Sequence, residues 1–541
     1  HERCKFIRKF SSRFQFLQCS ITKMISPMFG LVFAFAFSNT LAKETYKAAV
    51  VEYHPVNSDN AYEDFFTNVR MYLKYIEEAA LQGVDIIVFP EDGLTGWMLD
   101  DKYIPTFATE VPDSDSGVSP CIDRNGSYAN YLINLSCACK RNKIYAVVNI
   151  IEVAHGSDGD KIYHNTNIAL NRAGVVIAKY RKINLYDEVF YKPGEHVLST
   201  FTTDFGVTFG MFICFDVVFQ SPGLDILKNT EVTDIVYSTA WFARLPFYTA
   251  NSVQHGYAKL HGLNFLAAGL NDPKTGTGGS GIYLADGGIL TVYITGKEES
   301  KLIIANVPKI KSRVDLSNTC QHAGADSVNS HSSDVHLFFT NTTDLSNYTV
   351  QSLDLNDLEV SETVCAKNSE FCCTFNATMK KYSPLPNYSY KLIAYSGVSA
   401  ISTTKTIGLK QCALVACSED NIASCGQRNK GFPSGIYFEH ISVTGTFNTH
   451  DAVYMPSTVT YDLLPTNRYV YCRKVSGNQE EVSMYTTQKL DSLLTFGIFG
   501  RTFKYDDHTP GIITDAASRS GHISYMACLL ILFCSNCLWI I

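Results

Sequence analysis

From Tyr46 to about Lys309, short apolar runs alternate with stretches of helical periodicity. AAVVEY (Ala48–Tyr53) reads as a strand. Tyr62, Phe65, Phe66, Val69, Leu73, Ile76 and Ala80 then recur at the spacing of one helix face, and Gly83 stops that helix. The run DIIVF follows and leads into Glu91 and Asp92. YANYLINLSCACKRN predicts a second helix and YAVVNIIEV a strand, while NIALN and VVIAKYRK form a hairpin around Asn171–Gly174. GVTFGMFICFD, TDIVYSTAW and LNFLAAGL are further strands, and a helix is expected over Ser252–Leu260. These strands are too continuously apolar to leave one face wet, so helices must cover the sheets. The expectation is an α/β domain.

After roughly Pro308 the character changes. KLIAYSGV, GIYFEHISVTGTF and YVYCRKVSG are short, β-branched and aromatic, divided by Gly, Pro and Asn, which predicts a mainly β second domain. Residues Ser312–Ser361 are polar and are expected to be dominated by loops. A chain of 541 residues with 46% apolar content has room for two such domains, each with its own core. The net charge of -7, with basic residues dispersed, argues against nucleic acid as a partner. No dinucleotide fingerprint, zinc-ligand spacing or tandem repeat is present, so no metal or cofactor is expected. GTGGSG (Gly276–Gly281) lacks the Lys and helix of a phosphate loop and reads as a tight turn beside the site.

Both ends carry targeting patterns. From Met24, MISPMFGLVFAFAFSNTLA fits a secretory signal cut near Ala42. Small residues in DAASRSG (Asp515 to Gly521) precede an apolar stretch that runs to Ile541, the pattern of a glycolipid-anchor signal, with attachment expected among Asp515–Ser518. Acceptor sequons begin at Asn125, Asn134, Asn341, Asn347, Asn376 and Asn387. Cys365, Cys372, Cys373, Cys412, Cys417, Cys425 and Cys472 crowd the later chain, as a disulfide framework does in an oxidising compartment. An extracellular, surface-anchored glycoprotein is expected, held to the membrane through lipid.

The candidate chemistry sits at strand ends. Glu91 follows DIIVFP, Lys182 follows VVIAKYR, and Cys214 follows GMFI. A lone Lys there is ordinarily solvated, and a lone Cys in an apolar strand is ordinarily core. Together they place an acid, a base and a thiol at the C-terminal ends of buried strands, where α/β sheets expose ligand sites. The set suffices for acyl transfer. The thiol needs a base and a nearby positive charge to attack a carbonyl, and the backbone N–H of Phe215 can help hold the oxyanion. His255 and His261 suggest a Cys–His pair instead, but Cys214 lacks the matching local signature and neither His has an obvious orienting Asn.

FPE, YRKxxL and CFD, in that order, resemble the nitrilase superfamily of carbon–nitrogen hydrolases. FPEDGLTGW, KYRKINLYDE, TFGMFICFD, VYSTAW, LNFLAA and GSGIY are similar to its biotinidase and vanin (pantetheinase) branch. The resemblance implies an αββα sandwich at 43–310, a β-rich vanin-type domain at 311–505, a leader at 1–42 and an anchor signal at 506–541. It also implies that Glu91 is the general base, Lys182 the oxyanion stabiliser and Cys214 the nucleophile. Glu188 matches an acid of the branch and either orients Lys182 or is a solvated loop acid, Trp241 either lines the pocket or belongs to the core, and Asp92 is expected to hold the turn. The implied activity is hydrolysis of a small linear amide, either pantetheine to pantothenate and cysteamine or biocytin to biotin and lysine. The alternatives are an inactive adhesion or signalling protein on the same scaffold, and an acyltransferase to an amine.

Overall fold

The computed structural model describes residues 44–513, apart from 124–125, 323–328, 357–358, 384–385 and 430–434. The leader, the tail signal and Asn125 lie outside the described residues. Within those residues, no helix is long and apolar enough to cross a membrane.

The first half is a four-layer α/β sandwich. Its strands in chain order are β1 (Thr45–Glu52), β2 (Ile86–Val88), β3 (Tyr145–His155), β4 (Lys161–Leu170), β5 (Val176–Arg181), β6 (Ser199–Thr202), β7 (Thr208–Ile213), β8 (Asp234–Thr239), β9 (Arg244–Leu245), β10 (Asn264–Gly269), β11 (Ser280–Tyr283), β12 (Ile289–Thr295) and β13 (Lys301–Pro308). One sheet runs β13-β1-β2-β3-β4-β5, with β1, β2 and β3 parallel. The other includes β12-β11-β10-β8-β7-β6, with β10, β8 and β7 parallel.

Alternate residues of one strand serve different cores, which explains the unbroken apolar runs. Ala48, Val50, Ile86, Val88 and Val147 face the space between the sheets. Ala49, Val51, Ile87, Ala146 and Val148 face the other way, onto helices α1 (Ala61–Leu81) and α2 (Asn130–Asn142). Helix α1 starts at Asn60, whose side chain accepts from the Glu63 N–H, and stops where Gly83 takes φ 71°. Its buried stripe runs through Phe65, Val69, Tyr72, Tyr75, Ile76 and Ala79, while Tyr62 is exposed and Leu73 and Ala80 are partly covered. Tyr72 replaces Leu73 because its ring stacks on Phe89 beneath the helix.

Helix α3 (Ala250–His261) is buried almost all round, an unusual state for a helix on one face of a sheet. The second half covers its outer side. A Cβ on Gly256 would lie 2.5 Å from the Pro456 carbonyl oxygen, so only glycine admits that approach.

The second half is a β-sandwich. One sheet orders Cys320–Gln321, Tyr469–Ser476, Gln479–Thr486, Ile436–Asn448, Cys372–Lys381 and Glu359–Cys365. The other orders Thr349–Ser352, Ser389–Ala400, Thr406–Cys417, Leu493–Thr502 and Ala452–Thr460. Disulfides join Cys320–Cys472, Cys365–Cys372, Cys373–Cys412 and Cys417–Cys425, and a further one, Cys121–Cys137, ties α2 to the preceding loop.

The stretch 312–361 holds more regular structure than its polarity suggests. Asn329–Ser333 adds a parallel edge strand beside β12, and Asn341–Thr342 pairs with β9. Edge strands are held by backbone hydrogen bonds, so no apolar alternation marked them in the sequence. Arg501 donates to the Val218 carbonyl and Thr495 to that of Pro246, locking the two halves together next to the turn Cys214–Val218.

Candidate active site

Glu91, Lys182 and Cys214 converge at the C-terminal ends of β2, β5 and β7. All three are buried, with Glu91 and Lys182 each 2% exposed. The Lys182 ammonium lies 2.5 Å from Glu91 Oε1 and 2.7 Å from Glu188 Oε2. Glu91 Oε1 also accepts from Asn165 Nδ2 at 2.8 Å, and Oε2 accepts from the Ala240 N–H at 3.0 Å. A buried carboxylate with those donors stays in place, whereas an unpaired one would cost several kcal/mol.

Burial opposes the charge on Lys182, but Glu188 and then Glu91 outweigh it and hold the ammonium well above the usual lysine range. Burial, then the Glu91 carboxylate, pushes the Cys214 thiol up, against a smaller opposing effect of Lys182. At rest the thiol is therefore protonated, with the Glu91 carboxylate among its neighbours.

Cys214 begins a short turn, Cys214–Val218, with φ 44°, in the left-handed region that a side chain rarely adopts. Tyr237 holds that conformation by donating its hydroxyl to the Cys214 carbonyl at 2.7 Å. Asp216 anchors the turn from the other side, its carboxylate accepting from the Tyr180 hydroxyl, the Ile213 N–H and both the backbone and side-chain nitrogens of Asn184. Burial lifts the Asp216 carboxyl to about 6, against these donors. The Phe215 N–H lies in the first turn, where helical geometry gives an N–H no acceptor of its own.

Over this cluster opens a cavity of about 600 Å³. Trp97, Tyr186, Phe215, Trp241 and Phe242 form much of its wall. Trp241 both lines the cavity and is tied into the core, donating Nε1–H to the Tyr248 carbonyl. Asp92 holds the turn through its backbone, its carbonyl accepting from the Thr95 and Gly96 N–H groups, and it also lines the cavity. The Gly276–Gly281 turn serves another group. Gly279 and Ser280 donate to Glu52, whose carboxyl burial raises to about 7.

His255 is buried on α3 against Tyr283 and bonds the Gly287 carbonyl, while His261 is partly buried at the helix end with its ring against Tyr257. Burial drops each of them to about 3, and neither lines the cavity that holds Cys214. The described sequon residues Asn134, Asn341, Asn347, Asn376 and Asn387 are exposed.

Several residues that build the site carried no motif. Asn149, Asn165 and Asn167 form a ladder in which Asn149 donates to both neighbours and accepts from the Asp92 N–H. Asn165 also donates to Glu188 at 2.6 Å, so one amide fixes both carboxylates that flank Lys182. Their only signal was polarity at inward positions of apolar strands. Phe339, Asn341 and Ile401 complete the wall from the second half of the chain.

Residues 47–309 match the Carbon-nitrogen hydrolase family, and residues 337–506 match the Vanin C-terminal domain. The chain is 30% identical to Vanin-like protein 1 of Drosophila melanogaster, over 85% of this chain and 86% of that protein. It is 28% identical to the Pantetheinase of Homo sapiens, over 89% of this chain and 93% of that protein. Among solved structures, Saccharomyces cerevisiae Nit3, a member of branch 10 of the nitrilase superfamily, is similar at 18% identity and TM-score 0.39, over 49% of this chain and 90% of that one. This chain is a carbon–nitrogen hydrolase acting on amides, and it belongs to the vanin branch of the nitrilase superfamily.

Proposed function

We propose that the cavity takes a small vitamin-conjugate amide, pantetheine or biocytin, and that Cys214 attacks its carbonyl to form a thioester. The observation that carries this reading is the buried Glu91–Lys182 pair beside a protonated thiol at the floor of an aromatic cavity. Glu91 takes the thiol proton as sulfur bonds to the carbonyl carbon. Lys182 and the Phe215 N–H face the charge that develops on oxygen. As the carbon–nitrogen bond breaks, the proton passes from Glu91 to the departing amine. Water, deprotonated by the same carboxylate, then cleaves the thioester and restores the thiol.

Glu188 acts through Lys182, holding the ammonium charged and in position. The disulfides and the exposed sequon residues support folding in an oxidising, exported compartment, with a lipid anchor at the cell surface. Purified protein assayed side by side on pantetheine and biocytin tests the substrate, and Cys214→Ala tests the route. Amine release from one substrate, lost in the alanine variant, is expected. Turnover retained by Cys214→Ala removes the thioester. Release of the protein from intact cells by a phosphatidylinositol-specific phospholipase tests the anchor, and retention of all of it on the cells would exclude one.

A further inference from the structure

The cavity wall holds a cation that the reaction above does not use. Arg244 lies in β9, and its backbone is pinned on both edges. Its N–H and carbonyl exchange hydrogen bonds with Tyr248, and Asn341–Thr342 pairs alongside. The half-buried side chain lines the cavity, with its guanidinium against the Tyr186 hydroxyl. The Tyr186 ring packs edge-on against Phe215 and stacks on Phe242, so Arg244 borders an aromatic surface.

Several arginines close on carboxylates, Arg172 on Asp85 and Asp204, Arg181 on Glu152 and Arg473 on Glu480, while the half-buried Arg313 and Arg428 donate to backbone carbonyls and do not line the cavity. Arg244 forms no ion pair among the described residues. None of the acids that line the cavity, Glu91, Asp92, Asp101, Asp187 and Glu188, forms an ion pair with Arg244 among the described residues. Glu91 and Glu188 hold Lys182, and Asp187 accepts from the backbone and hydroxyl of Thr403 and from the Thr404 hydroxyl. A guanidinium is always charged and presents a planar fork of donors, which fits an anionic oxygen group two-pronged. A partly desolvated cation with no protein carboxylate is a ready site for an anion brought by the ligand.

We propose that Arg244 sets substrate preference, selecting linear amides that carry a carboxylate or phosphate away from the scissile carbonyl. The inference rests on the amidase reading and narrows its substrate class. Arg244 and Cys214 line the same cavity, so a linear amide with its carbonyl at Cys214 can place a remote anion at Arg244. Arg244 touches the remote group and takes no part in the bond changes. Its loss therefore weakens binding of the anionic substrate more than that of the neutral one.

The test uses two matched pairs on the full-length protein, Nα-acetylbiocytin against its carboxamide and phosphopantetheine against pantetheine. Wild type is expected to favour the anionic member of at least one pair by about tenfold or more in kcat/KM, mainly through KM. The pair that shows the preference tells carboxylate from phosphate. Arg244→Gln should erase the preference by lowering kcat/KM for the anionic member about tenfold more than for the neutral one, and Arg244→Lys should restore part of it. Quenching of Trp97 and Trp241 fluorescence gives a binding readout that needs no turnover. There, Arg244→Gln should weaken binding of the anionic member more than that of the neutral one. If no member is cleaved, the amidase reading fails, and the binding titration still decides the role of Arg244. Equal binding of charged and neutral members by wild type, or a preference that survives Arg244→Gln, overturns the proposal.

Discussion

Replacing Glu188 by Gln isolates the electrostatic support of Lys182 without changing the shape of the site. Every group that approaches the Glu188 carboxylate is a donor: Lys182 Nζ at 2.7 Å, the Tyr186 N–H at 2.9 Å and Asn165 Nδ2 at 2.6 Å. An amide supplies one oxygen and must turn its NH2 toward one of these donors. The charge is lost as well. At an effective dielectric near 20, opposite charges ~3 Å apart attract by ~5 kcal/mol, and Glu91 remains to supply a comparable share. We expect a net loss of ~3 kcal/mol in support of the ammonium, or roughly a hundredfold in kcat/KM. The direction of the pH response follows from the same pair. Glu188 raises Lys182, so its removal lets the ammonium lose its proton at lower pH, and the alkaline limb of the rate profile moves toward acid. The assay is kcat and kcat/KM from about pH 5 to pH 10 on whichever amide the wild type cleaves. A variant with a near-normal plateau and an unmoved alkaline limb would refute the reasoning.

Gly256→Ala should lower the thermal midpoint by several degrees, because its Cβ meets the Pro456 carbonyl oxygen at 2.5 Å and one half of the molecule must shift against the other; an unchanged midpoint in calorimetry would contradict that contact. His255 is held near pKa 3 by burial, below its unfolded value of about 6.5, so its contribution to stability is complete above that value and is lost as pH falls toward 3. The loss attributable to His255 reaches ~2 kcal/mol at about pH 5, and a His255→Gln variant should show a shallower fall in denaturant midpoint below about pH 6.5. Removing the Cys320–Cys472 disulfide, which closes a loop with sequence separation 152, should cost ~4–5 kcal/mol of stability in the chain-entropy account. Denaturant melts of the Cys320→Ser, Cys472→Ser double variant check that figure.

The strands that carry Glu91, Lys182 and Cys214 were legible because their apolar runs end abruptly on a group that burial would penalise. The hairpin at Asn171–Gly174 and the helix at α3 were legible for equally local reasons, turn chemistry and period. Arg244 and the Asn149, Asn165 and Asn167 ladder were not, since an isolated polar residue in a strand looks the same whether it meets water or a neighbouring amide. Pairing of Asn329–Ser333 with β12 escaped notice for a different reason. Its partner is set by the course of the chain in three dimensions, and the strand buries too little apolar surface to leave a pattern. The cysteine crowding pointed to bridges, but the odd number in the later cluster hid the role of Cys320, which lies ahead of it.

The cavity wall drawn from Phe339, Asn341 and Ile401 separates what the enzyme does from what it does it to. Those residues lie on loops and edges of the β-rich half, away from the strands β2, β5 and β7 that lead into Glu91, Lys182 and Cys214. Changes there can alter which molecules fit while leaving proton transfer untouched, so selectivity and chemistry can drift independently over evolutionary time. An engineer could exploit the same separation. Exchanging the stretch 337–343 among relatives would retune selectivity with the strands bearing Glu91, Lys182 and Cys214 left intact.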